Sequence, residues 1–199
     1  MCRRVKVIFG QTDLRPVPAS SEVYPAWWRF LHWMAAVISA TVAPVRAAAT
    51  GAAQCRLAFY NTHTDEHVSL VYRLGADYVT ESLTQIKRVL RDQRTDEVWA
   101  INLRLFDLLH KLSNSLQARV PFDVISGYRS PLTNATFASR GDGVAKHSLH
   151  IEGKAIDIRV RGLDLPQLGA AAIDLRGGGV AYYSRPDFIR VDVGRVRYW

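Results

Sequence analysis

A histidine and an aspartate flank a short turn in the second half of the chain. His150 precedes the segment Glu152-Gly153-Lys154, which predicts a turn, and Asp157 lies on the strand predicted after it. The imidazole and the carboxylate can therefore converge across the turn. A hydrolytic zinc site needs three nitrogen or oxygen ligands from the protein and an open position for water. His150 and Asp157 could supply two of these ligands, although the spacing alone favours a surface turn with a solvated histidine.

Longer sequence motifs surround this pair of residues. They are SGYRSP at 126–131, GVAKHSLH at 143–150 and GKAID at 153–157, and the chain ends with GGVAYY at 178–183 and FIRVDVG at 188–194 before closing on Trp199. Over 57–199 the sequence resembles the murein endopeptidase K family. That family belongs with the zinc peptidases of the D-Ala-D-Ala carboxypeptidase and hedgehog type.

The resemblance implies a zinc-dependent endopeptidase that hydrolyses peptide cross-links in peptidoglycan, with the stem peptides as its partners. By the same resemblance His150 and Asp157 match the first two zinc ligands, and Arg129, predicted to bind substrate, matches the arginine of the Ser-Gly-Tyr-Arg motif. Ser126 and Tyr128 belong to the same substrate-binding loop. An arginine suits a substrate carboxylate or a polarised carbonyl because its planar fork pairs with oxygens bidentately. The alternative for Arg129 is an ion pair that stabilises the loop.

The sequence departs from the family at the third zinc ligand. The family has a histidine at the position that Arg190 holds here, and a guanidinium has no lone pair to offer a metal. His147 or Asp192 could replace the lost ligand. Alternatively, the protein is a catalytically inactive pseudoenzyme of the cell envelope that holds acidic groups of stem peptides with Arg190 and Arg129. A third alternative is a decayed copy of an ancestral peptidase.

Two aspartates are candidates for the general base that hydrolysis would require. Asp187 precedes Arg190 at a spacing that related zinc peptidases use for a catalytic acid, and Asp192 follows Arg190 on the same strand face. Both have a structural alternative, in which Asp187 is a turn residue and Asp192 forms hydrogen bonds at the end of a strand.

The hydrophobic pattern predicts one α+β domain over 50–199, with N-terminal helices packed on a mainly antiparallel sheet that carries the metal site. A hairpin is predicted from the apolar runs 57–60 and 68–72, followed by helices over 80–94 and 96–117. Strands are predicted at 120–126 and 155–160. A short helix capped by Asp164 and a final strand pair at 180–183 and 188–193 complete the domain.

Residues 1–49 are predicted to be a signal peptide or an N-terminal anchor. The segment 33–45 is apolar and uncharged, basic residues precede it, and Ala47-Ala48-Ala49 offers a cleavage site. The long stretch before it also fits an over-extended start. This segment predicts an exported, periplasmic protein with no stable membrane partner beyond a possible anchor.

The composition limits the remaining classes of function. The chain has 199 residues, of which 48% are hydrophobic and 22% are charged, which excludes a disordered or collagenous chain. The net charge is +8, but residues 50–199 carry 20 basic and 16 acidic residues without a basic cluster. A nucleic-acid partner is therefore not expected. A purely structural module of the cell envelope is the alternative from another class.

Overall fold

One mixed sheet organises the part of the chain that the computed structural model describes, which is residues 52–117, 120–140 and 147–199. Within these ranges its eight strands are β1 (Gln54–Asn61), β2 (His67–Leu74), β3 (Asp77–Tyr78), β4 (Phe122–Ser126), β5 (Ala155–Val160), β6 (Gly179–Tyr183), β7 (Phe188–Asp192) and β8 (Arg197–Tyr198). The strand order is β3-β2-β1-β4-β5-β7-β6-β8. The β1–β4 and β6–β8 pairs are parallel, and the other pairs are antiparallel.

Four helices accompany the sheet within the described ranges: α1 (Thr80–Val89), α2 (Leu103–Ser115), α3 (Pro131–Ser139) and α4 (Leu165–Asp174). The predicted α+β class and the mainly antiparallel sheet are confirmed. The helices do not come first in the domain, because β1, β2 and β3 precede α1, and α3 and α4 lie in its second half.

The two long helices are shorter than their hydrophobic patterns predict. Helix α1 ends at Val89 rather than near 94, and α2 begins at Leu103 rather than near 96. Between them Asp92 pairs with Glu97 in an isolated bridge, and the Asn102 side chain accepts a hydrogen bond from the backbone N–H of Arg104 as the N-cap of α2. Tertiary hydrogen bonds thus override helical propensity in this connection.

Helix α3 is absent from the sequence prediction, although its start carries a recognisable signal. Ser130 is its N-cap and accepts a hydrogen bond from the backbone N–H of Thr133, and Pro131 occupies the first helical turn. This combination is typical of a helix start. Helix α4 begins as predicted, with the Asp164 side chain accepting from the backbone N–H of Gln167.

The core surrounds the central strands, so that β5 is buried on both faces. Ile156 and Ile158 are fully buried, and Asp157 between them is only 2% exposed. Aromatic and aliphatic side chains from β1 and α2 complete the core, including Phe59, Phe106 and Leu109. A carboxylate in the middle of such a strand needs compensating partners, because burying an unpaired charge is costly.

The predicted leader, residues 1–49, lies outside the described residues, and its boundary and role stay predictions. In the described ranges no helix combines the length and the apolar character that crossing a membrane requires.

Candidate functional site

The centre of the site is formed by His150 and Asp157, which the fold brings together as the sequence predicted. Gly153 takes a positive φ of 62° and turns the chain between them. His150 Nε2 then lies 3.3 Å from Asp157 Oδ1. The imidazole is fully buried, and the carboxylate is nearly so.

The orientation of the His150 ring is set by its other nitrogen. His150 Nδ1 lies 2.7 Å from the carbonyl oxygen of Gly127, and a carbonyl oxygen can only accept, so Nδ1 carries the proton. Nε2 has no hydrogen-bond partner among the described residues. A backbone carbonyl that holds one ring nitrogen is usual for a metal-binding histidine, but here the other nitrogen faces the Asp157 carboxylate at 3.3 Å.

Arg190, on the neighbouring strand, forms an ion pair with the Asp157 carboxylate. Asp157 on β5 is in register with Arg190 on β7. Arg190 Nε donates to Asp157 Oδ1 at 2.9 Å, and Nη2 donates to Oδ2 at 3.3 Å. The guanidinium carbon lies 5.3 Å from the centre of the Tyr183 ring. Both carboxylate oxygens are therefore held by one planar fork.

These contacts control the protonation of the Asp157 carboxyl. Burial by itself raises the pKa of Asp157, but His150 and then Arg190 outweigh burial and lower the pKa from 3.8 to about 2. For Arg190, burial lowers the pKa of the guanidinium, and the neighbouring Asp157 charge more than reverses this effect. The pair is consequently ionised at neutral pH.

The described residues do not fit a zinc ion as they stand. No group of three or more His, Cys, Asp or Glu side chains within the described ranges could hold a metal. His150 and Asp157 offer two ligands, but the Arg190 guanidinium holds the Asp157 oxygens and has no lone pair of its own. A cation that cannot be a ligand thus holds the two oxygens through which Asp157 would bind a metal.

A cavity of about 280 Å³ opens beside this group. Its lining includes His147, His150, Tyr183, Arg190, Asp192, Arg197 and Trp199. His147 is exposed, and the structure brings it to the same cavity as His150. Its predicted role as a substitute ligand stays a prediction. Arg197 and Trp199 were not identified from the sequence as site residues, because no motif or periodicity relates them to His150.

Asp192 has partners for both of its carboxylate oxygens. Oδ1 accepts from the backbone N–H groups of Gly179 at 3.1 Å and Gly194 at 2.8 Å, and Oδ2 accepts from Arg197 Nη2 at 2.8 Å. These contacts match the structural alternative for this residue. The roles of catalytic base and substitute ligand stay predictions.

Asp187 lies in the exposed turn between β6 and β7, with a φ of 54°. It is not among the residues that line the cavity. Its predicted catalytic role therefore stays a prediction without a contact that supports it.

Arg129 approaches the Asp157 carboxylate from a different direction. Its Nη2 lies 3.9 Å from Asp157 Oδ2 and 3.4 Å from Ser126 Oγ. Its Nε and Nη1 are buried and have no hydrogen-bond partner in the described ranges. Burial lowers the pKa of Arg129, and Asp157 opposes this effect. Arg129 therefore has buried N–H donors that no described residue satisfies.

The loop residues predicted beside Arg129 have different surroundings. Ser126 accepts from Arg129, whereas the Tyr128 hydroxyl donates to Glu97 Oε1 at 2.8 Å. The Tyr128 ring also stacks on Trp99, with 5.9 Å between the ring centres. Tyr128 thus ties the loop to the connection between α1 and α2, and its substrate-binding role stays a prediction.

Comparison with known proteins places the chain in a class of peptidoglycan peptidases. A sequence model described as peptidoglycan L,D-endopeptidase MepK matches residues 49–199. Peptidoglycan L,D-endopeptidase MepK of Escherichia coli K12 is 38% identical over 143 residues, which cover 72% of this chain and 79% of the relative. A probable peptidoglycan L,D-endopeptidase MepK of Haemophilus influenzae is 40% identical over 144 residues, which cover 72% of this chain and 77% of the relative.

The chain therefore belongs to the MepK family of murein endopeptidases. The family resemblance inferred from the motifs is confirmed, and the protein is murein endopeptidase-like. That Arg190 stands at the position of the family's third zinc ligand stays a prediction.

Proposed function

We propose that this protein binds the cross-linking stem peptides of peptidoglycan in the cell envelope and does not hydrolyse them. The observation that carries the proposal is the fork of Arg190 on both oxygens of Asp157. Membership of the MepK family supports peptidoglycan as the ligand. The predicted leader supports an exported, periplasmic location.

The chemistry of hydrolysis explains why the Arg190 contact is decisive. An amide carbonyl must be polarised, and water must be activated, before a peptide bond can be cleaved by this class of enzyme. Zinc would supply both effects in this family, but the described donor set does not fit it. A guanidinium can bind an oxygen, yet its protons are too weakly acidic to generate hydroxide at neutral pH.

The geometry is nevertheless suited to binding. The cavity presents guanidinium groups and the aromatic side chains Tyr183 and Trp199 on one surface. Arginine with aromatic neighbours is a common combination in binding sites for charged peptides. The family's peptide-binding surface can therefore persist without the family's reaction.

Zinc-dependent hydrolysis is the second candidate function. It is favoured by one observation, which is that His147 and His150 line the same cavity. For His147 to complete a site, the Asp157 carboxylate would first have to be released from Arg190.

The test measures zinc content, cleavage and binding on the full chain. Wild type and Arg190→His are equilibrated with zinc, dialysed and assayed for metal, then incubated with cross-linked muropeptides and with intact sacculi. We expect wild type to bind sacculi with neither stoichiometric zinc nor cleavage, and Arg190→His to gain about one zinc per chain.

Arg185→His is the matched control, because Arg185 lies exposed in the turn between β6 and β7. It should gain no zinc, which shows that a new histidine alone is insufficient. Stoichiometric zinc with cleavage in wild type would establish the second candidate, and His147→Ala would then abolish both. Failure of wild type to bind sacculi would refute the proposed function.

A further inference from the structure

One nitrogen of the Arg190 guanidinium, Nη1, does not donate to Asp157. Its Nε and Nη2 donate to the carboxylate, while its Nη1 makes no hydrogen bond within the described ranges and the residue lines the cavity. The Arg190 side chain is 20% exposed, against 3% for Asp157. The carboxylate is therefore more deeply buried than the guanidinium, and Nη1 is the guanidinium nitrogen that Asp157 leaves unused.

Arg197 also has a buried aspartate as its partner, although its Nη1 already donates to the backbone oxygen of Arg195 at 3.0 Å. Its Nη2 donates to Asp192 at 2.8 Å, and the arginine is 34% exposed whereas the aspartate is 1% exposed. Arg197 lines the same cavity as Arg190. Two guanidiniums thus reach the cavity, each with its counter-ion buried behind it.

The charge of the whole group is not balanced. Arg190 and Arg197 line the cavity and are each matched by one aspartate, whereas Arg129, which is not among the lining residues, adds a third positive charge near Asp157. Arg129 has no carboxylate within hydrogen-bond distance in the described part of the chain, and two of its nitrogens are unsatisfied. A buried excess charge favours a ligand of opposite sign over a neutral one.

We infer that this cavity binds the free C-terminal carboxylate of a stem peptide in preference to the neutral peptide bond of an intact cross-link. This inference rests on the proposed function. A carboxylate accepts from a guanidinium more strongly than an amide carbonyl does, because the bond joins two opposite charges. The Tyr183 ring against Arg190 restricts the guanidinium plane and so orients the outward donor.

The experiment compares two synthetic stem peptides that differ only at the C-terminus, which is a free carboxylate in one and a carboxamide in the other. Calorimetric titration of the full chain at low ionic strength gives both dissociation constants. We expect the carboxamide to bind at least about tenfold more weakly, since a hydrogen bond between charged groups outweighs a neutral one. In Arg190→Gln this preference should disappear.

The Asp157→Asn, Arg190→Gln double variant keeps the pair uncharged and tests the preference if the single variant does not fold. Arg185→Gln removes an exposed arginine outside the cavity and should keep the full preference. Equal affinity of wild type for the two peptides would overturn the inference while leaving the proposed function intact. Binding of neither peptide, together with no binding to sacculi, would instead overturn the proposed function.

Discussion

At the scale of single residues, a cation that belongs to the chain neutralises the central carboxylate. In a zinc peptidase the carboxylate on the central strand is neutralised by a bound metal. Here the Arg190 guanidinium neutralises Asp157 through two hydrogen bonds. A guanidinium carries one positive charge where a zinc ion carries two, and it supplies neither a Lewis acid nor an activated water.

Asp157→Asn should destabilise the protein at neutral pH by about 3 kcal/mol, because it leaves Arg190 buried against an uncharged partner. The Asp157 carboxyl has a pKa of about 2 when folded and 3.8 ordinarily. Ionisation of Asp157 therefore contributes about 2 kcal/mol to the free energy of unfolding. This contribution is complete above pH 4 and is lost as the pH falls through 2. Urea denaturation of both proteins from pH 7 to pH 2 measures the difference.

The gap in unfolding free energy between wild type and Asp157→Asn should narrow only below pH 4. Asp187→Asn is the matched control, because Asp187 is exposed in a turn. Its stability should follow that of wild type at every pH. A gap between wild type and Asp157→Asn that does not depend on pH would contradict the lowered pKa that His150 and Arg190 together give to Asp157.

At the scale of elements, the start of α3 joins the connection between α1 and α2 to a helix that packs on a site residue. The Ser130 hydroxyl donates to Asp92 Oδ2 at 2.7 Å and accepts from the backbone N–H of Thr133. The helix that follows places the Phe137 ring 5.1 Å from the Arg129 guanidinium carbon. The cap therefore supports a helix that packs on a site residue.

Ser130→Ala should cost about 2 kcal/mol, because it removes a cap and a partner of the buried Asp92 together. Asn102→Ala removes the α2 cap, which has no buried acid attached to it, and should cost about 1 kcal/mol. Denaturant titration of the two variants compares these costs. Equal losses would mean that the Asp92 contact contributes nothing beyond capping.

The turn before β5 depends on a residue without a side chain. A Cβ at Gly153 would lie 2.1 Å from the backbone oxygen of Ala100, and its φ is 62°. Gly162 has a similar φ of 79°, but a Cβ there would have no atom within 4 Å. Alanine substitutions at Gly153 and Gly162 therefore distinguish the cost of backbone strain from the cost of a steric clash.

Gly162→Ala should lose about 1 kcal/mol from strain alone, whereas Gly153→Ala should lose about 3 kcal/mol or more because the Ala100 backbone must also move. Only Gly153→Ala should weaken stem-peptide binding, since this turn sets His150 against Asp157. Thermal unfolding and calorimetry provide the two measurements. Similar losses in both variants would show that the turn tolerates a side chain.

The sequence predicted the elements that have strong local patterns and missed those determined by distant contacts. Alternation identified 155–160 as a strand, and Asp164 with Pro166 indicated the start of α4. The connection between α1 and α2 was predicted as helix because its contacts, such as that of Asp92 with Ser130, join residues far apart in the chain.

The site was predictable to a similar degree. The turn at Gly153 indicated that His150 and Asp157 would converge, and they do. The pairing of Arg190 with Asp157 depends on the register between β5 and β7. A single sequence does not specify this register. The pairing of Asp192 with backbone N–H groups likewise depends on how Gly179 and Gly194 pack around it.

At the scale of the whole molecule, stability should be independent of metal. Adding zinc or EDTA should leave the thermal midpoint of wild type unchanged, because the described fold holds its central carboxylate with Arg190. Arg190→His should be stabilised by zinc, by about 2.7 kcal/mol when free zinc is a hundredfold above its dissociation constant. Differential scanning fluorimetry with and without zinc distinguishes these responses, and a rise in the wild-type midpoint with zinc would contradict the metal-independent assignment.

The position of the site on β5 and β7 has a kinetic consequence. These strands lie inside the sheet, with neighbours on both sides, so Arg190 and Asp157 are held in place before any ligand arrives. Encounter should then need little rearrangement, and the association rate should be set mainly by diffusion and by attraction between opposite charges. Stopped-flow traces should show one exponential whose rate rises linearly with peptide concentration and falls as salt is added.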